Sequence, residues 1–124
     1  MEALTEADKA ESLKSFQSTI QKSENALSSM TDKGVNTTLV AKRLQALRIG
    51  LAVLEQDWNE KPHPYTHEDL AEAHILLAGL LPSIEGIYAK SKPGSPQKTL
   101  LERRIKSLEL ALQAMGDSTD KDLS

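Results

Sequence analysis

The sequence contains no cysteine, which excludes disulfides, thiol chemistry and cysteine-based zinc sites. That usage fits a reducing compartment, and a cytoplasmic protein is the expectation. Aromatic residues are almost as scarce: one Phe, one Trp and two Tyr. A core must then be assembled from Leu, Ile, Val, Met and Ala. No aromatic interleaves with the basic residues, as the stacking platforms of single-strand nucleic-acid binders would require. A formal net charge of −3 exerts no global pull towards nucleic acid or an anionic membrane. The acidic opening residues, from Met1 to Glu11, lack the apolar segment of a signal peptide. No uninterrupted apolar run reaches the roughly 20 residues of a bilayer span, so no membrane contact is expected. Nor does any stretch alternate apolar and polar residues in the manner of a half-buried strand.

What is present is helical periodicity, and it is strongest from Asn36 to Trp58. Val40, Leu44, Leu47, Leu51, Leu54 and Trp58 recur at steps of four and three, which lays one apolar stripe along a helix. Leu39, Ala46, Ile49 and Val53 recur at helical spacing on another side. A helix apolar on two faces must be covered on both or meet a partner. Gly50 inside this segment costs about 1 kcal/mol relative to alanine, and is read as simply tolerated.

Three further helices flank it. The first is expected over 6–32, capped by Thr5 with Asp8 three residues on, carrying Leu13, Phe16, Ile20, Ser23, Leu27 and Met30 inwards. Ser12, Ser15, Ser18, Ser28 and Ser29 would form its polar outer face, and Gly34 would close it. Asn36 is the expected cap of the second helix, with Val35 packing on Val40. Pro62-His63-Pro64 breaks the chain into a stiff turn. Thr66 and Asp69 then cap a third helix that runs to about Lys90 with a kink at Pro82. On that helix Gly79 and Gly86 share one face and would permit a close helix crossing. Ser95 and Pro96 start the fourth, carrying Leu101, Ile105, Leu108, Leu112 and Met115, with Gly116 as its stop.

Four amphipathic helices with short links predict an all-α fold, an antiparallel up-down-up-down four-helix bundle with a kinked third helix. Residues 1–116 would form one domain, and the polar segment 117–124 a disordered tail.

Chemistry is harder to find. His67 and His74 are seven residues apart, about 10.5 Å along a helix, too far for both to hold one ion as an i, i+4 pair does. The Glu-x-x-His signature of di-iron bundles is absent, since Glu72 and His74 are two apart. Glu55, Asp57 and Glu60 gather near His63, but no nucleophile, oxyanion loop or glycine-rich phosphate loop accompanies them. Neither metal, cofactor nor catalytic activity is expected.

Two binding readings follow. The first is a non-enzymatic protein-protein interaction module, regulatory or scaffolding, that self-associates as a homodimer. Leu39, Ala46, Ile49 and Val53 would form its two-fold interface, helped by Leu100, Leu110 and Ala114. The second is a nucleic-acid or anionic-ligand binder. Lys98, Arg103 and Arg104 would carry it, within a basic run from Lys90 to Lys106 that contains Glu102 as its one acidic residue. Lys42, Arg43 and Arg48 would add to that surface.

Overall fold

A computed structural model describes residues 5–123, with side chains for residues 5–116. The fold is all-α: α1 (Glu6–Asp32), α2 (Thr38–Asn59), α3 (His67–Lys90) and α4 (Pro96–Leu123). No strand occurs among the described residues.

Local chemistry accounts for most boundaries. At the start of α1 the Asp8 N–H donates to Thr5 Oγ1 at 3.0 Å, and the Thr5 N–H donates to Asp8 Oδ2 at 3.3 Å. The same reciprocal box joins Thr66 and Asp69 at the start of α3. Each box satisfies two backbone donors that a helix start leaves orphaned. At α4 the Lys98 N–H donates to Ser95 Oγ, with Pro96 as the first helical residue. α1 ends on Gly34 in the left-handed region (φ 72°), and the Val35 N–H closes back to the Met30 carbonyl. That is the Schellman closure, available to glycine without steric cost.

Two boundaries differ from expectation, the start of α2 and the end of α4. The cap of α2 is Thr37, whose side chain makes no capping bond; Asn36 Oδ1 instead accepts the Thr38 N–H. α2 runs to Asn59, within one residue of the expected end, and its C-terminal cap is Glu60, a non-glycine residue at φ 57°. α4 does not stop at Gly116 but continues to Leu123. Gly116 lacks the positive φ that closes a helix at Gly34, and no proline follows it, so the helix absorbs it at about 1 kcal/mol. The tail expected at 117–124 is therefore helical backbone as far as Leu123, and Ser124 lies outside the described residues.

Packing shows why α2 is apolar on two sides. It lies against α1, α3 and α4, as α4 does against the other three, whereas α1 and α3 do not approach each other among the described residues. α2 and α4 are the inner pair. Ion pairs at α1–α4 run in opposite order along the two helices (Asp8 with Lys106, Glu11 with Arg103), so these helices are antiparallel. The core unites Phe16, Leu47, Leu54, Leu70, Leu77, Leu108 and Met115, with Trp58 and Tyr65 packed on its margin. Phe16 from α1 and Leu77 from α3 both close on Gly50. That glycine is a packing requirement rather than a tolerated blemish.

The central position of α2 corrects the expected dimer face. Ala46, Ile49 and Val53 are 1%, 4% and 2% exposed within the single chain. Leu39 alone of the four is open, at 52%. Residues already covered by the chain's own helices cannot also meet a symmetry mate, so the face that argued for an α2 interface is core. Ser12, assigned to the polar side of α1, is likewise buried, and Ser107 on α4 with it. The Ser107 hydroxyl donates back to the Arg104 carbonyl at 2.9 Å, which satisfies it locally.

α3 is the most apolar helix over a long window. By length and composition it could cross a membrane, with a mean hydropathy of 1.4 over 18 residues. Counting uninterrupted apolar runs overlooks it because small and polar residues are interspersed. Pro82 lies inside this helix on the solvent side. Gly79 and Gly86 are exposed with nothing within 4 Å of a Cβ at either position, so no crossing among the described residues uses them.

Candidate functional site

The antiparallel docking of α1 on α4 leaves an open cleft of about 320 Å³. α1 contributes Glu11, Lys14, Ser15, Ser18 and Lys22, and α4 contributes Leu100, Arg103 and Arg104. The α1 residues follow helical spacing of three and four, so one face supplies them all. Leu100, Arg103 and Arg104 do the same from α4.

The cleft is strongly cationic. Four positive side chains face one carboxylate, on a chain whose formal net charge is −3. Glu11 approaches Arg103 at 3.7 Å, with both groups about half exposed, and such a pair contributes little net attraction. Lys14, Lys22 and the Arg104 guanidinium make no ion pair or hydrogen bond among the described residues. Arg104 Nε is buried and has no hydrogen-bond partner there. A buried donor left unsatisfied costs about 1–3 kcal/mol, more for a charged group. Leu100 is 53% exposed on the cleft wall and adds an apolar contact beside the charges.

The basic residues read from sequence are divided by the fold. Arg103 and Arg104 line the cleft, whereas Lys98 does not. Its ammonium lies 4.6 Å from the centroid of the Tyr88 ring, a cation–π contact that ties α4 to α3. Arg48 donates to Glu24 Oε2 at 2.8 Å across α1 and α2. Lys42 lines a smaller depression, of about 90 Å³, between α2 and α3, where Asp69 and Glu72 also sit. The α2 cations therefore do not extend the α4 site. Lys14 and Lys22 do, and sequence reasoning missed them, because they stand eight apart among serines. Their signal was the i, i+4, i+8 series Lys14, Ser18, Lys22.

Glu55 pairs with Lys61 at 3.2 Å, and His63 Nδ1 accepts the Tyr65 N–H at 3.2 Å. Among the described residues no group of three His, Asp or Glu could hold a metal. Comparison of the chain with protein-family models, with curated proteins and with solved structures gives no significant match.

Proposed function

We propose that the chain is a non-enzymatic protein-binding module whose α1–α4 cleft takes an acidic, partly apolar segment of a partner protein. The observation that carries this reading is the convergence of Lys14, Lys22, Arg103 and Arg104 on one cleft that holds Glu11 as its one carboxylate. Guanidinium groups suit carboxylates through paired N–H donors, and Leu100 supplies the contact for a neighbouring apolar side chain. Ser15 and Ser18 are the hydroxyls in the lining, and no histidine stands beside them, so the cleft offers charge and shape rather than a nucleophile with its base. No aromatic ring lines it for base stacking, which favours a peptide over single-stranded nucleic acid.

The test is fluorescence anisotropy with a labelled peptide of alternating Glu and Leu, beside a Gln-for-Glu control and a single-stranded oligonucleotide of equal charge. The acidic peptide should bind, with affinity falling as salt rises. Arg104→Gln or Lys14→Glu should weaken it roughly tenfold, about 1.4 kcal/mol. Equal affinity for the Gln control would sink the proposal. Tighter, steeply salt-dependent binding of the oligonucleotide would replace it with the nucleic-acid reading.

A further inference from the structure

The outer side of α3 carries a second stripe as regular as the buried one. Leu70, Ala73 and Leu77 point into the core. Opposite them Glu68, Glu72, Ile75, Gly79, Pro82, Gly86 and Lys90 recur at steps of four and three, and all are exposed. Ile75 is 72% exposed, the most open large apolar side chain among the described residues. Between Glu72 and Glu85 the helix bears no Asp, Glu, Lys or Arg. The 18-residue apolar window of α3 is only 17% buried.

We propose that this stripe is the surface through which two copies of the chain associate, α3 against α3 in antiparallel register. The argument is self-complementarity. Negative residues stand at one end, Glu68 and Glu72, and the positive Lys90 at the other, and none makes an ion pair among the described residues. A two-fold axis between Gly79 and Pro82 brings each acidic end beside the partner copy's basic end, and it opposes the two helix dipoles. A parallel pairing would set like charges together. In this register Ile75 of one copy sits over Gly86 of the other. A Cβ at Gly86 would meet nothing within 4 Å, so an incoming side chain has room there. Gly79 adds a second such gap near the axis. One helix face is small against stable interfaces, so the dimer is weak, with a dissociation constant on the order of micromolar or above.

Sedimentation equilibrium of the full chain at concentrations up to about 100 times that value tests it. The native chain should dimerise, and Ile75→Glu should be a monomer of unchanged circular dichroism, because the side chain is open to solvent. Glu72→Lys should weaken association roughly tenfold, and adding Lys90→Glu in the same chain should restore it. A native monomer at the highest concentration overturns the proposal, as does a dimer indifferent to Ile75→Glu. Failure of the double charge exchange to rescue overturns the antiparallel register. Cosedimentation of a monomeric native chain with phosphatidylcholine vesicles, lost in Ile75→Glu, would assign the face to a bilayer surface instead.

Discussion

Phe16 and Gly50 are in direct contact: a Cβ on Gly50 would stand 3.0 Å from Phe16 Cε1, and 3.1 Å from Leu77 Cδ1 on the other side. Phe16 and Leu77 are 1% and 0% exposed, so neither can withdraw into solvent. Helix propensity favours alanine at position 50 by about 1 kcal/mol. Overpacking a filled core typically costs about 1–3 kcal/mol. Gly50→Ala should therefore lower stability by up to about 2 kcal/mol, the difference of these two effects. A urea melt checks it, and Phe16→Leu in the same chain should recover part of the loss. A more stable Gly50→Ala would show that the ring yields.

The double variant Ile49→Glu with Val53→Lys reports on α2. Both native side chains are buried in the single chain, and burying two charges among Leu and Ala costs several kcal/mol even after relaxation. The expected outcome is loss of the cooperative circular dichroism transition. A folded double variant would return these residues to an exposed face.

Truncation should grade with burial along α2. Leu54 is fully covered and Leu47 3% exposed, so Leu54→Ala and Leu47→Ala should each cost about 2–5 kcal/mol. Leu51 is half-buried, and Leu51→Ala should cost visibly less. Thermal melts of the three variants give the order, and equal losses would contradict it.

Glu60 sits in the left-handed region at φ 57°, exposed, as the cap of α2. A side chain there costs about 1 kcal/mol relative to glycine. Glu60→Gly should raise stability by a few tenths to about 1 kcal/mol, the remainder being lost to the looser unfolded chain. An unchanged or lowered urea midpoint would mean that the Glu60 side chain contributes something beyond its backbone.

Asp8 carries a pH dependence of known sign. Its carboxylate is held below the ordinary Asp value first by the Thr5 N–H, then by the Thr5 side chain, with Lys106 adding a smaller pull. A depressed folded value means that the cap contributes stability above the unfolded Asp value and loses it as pH falls through the folded one. The stability difference between the native chain and Asp8→Asn should shrink from neutral to acid solution. Urea melts at both pH values measure it, and a constant difference would remove the effect.

The sequence by itself determined the all-α class, the start of every helix except α2 and the position of three of the four helix ends. These depend on contacts within a few residues: Thr5 with Asp8, Thr66 with Asp69, Ser95 with Lys98, the left-handed Gly34. The two apolar sides of α2 were equally legible, as was the basic character of Arg103 and Arg104. What lies outside each apolar side was not. Ala46, Ile49 and Val53 have the same spacing whether another helix of the chain or a second molecule covers them, and only the tertiary arrangement placed α2 inside. The cleft was hidden for a related reason. Lys14 and Arg104 are ninety residues apart, and it is the antiparallel docking of α1 on α4 that sets their charges on one wall. Gly50 followed the same logic, because a missing Cβ gains its meaning from Phe16 and Leu77, which reach it from two other helices.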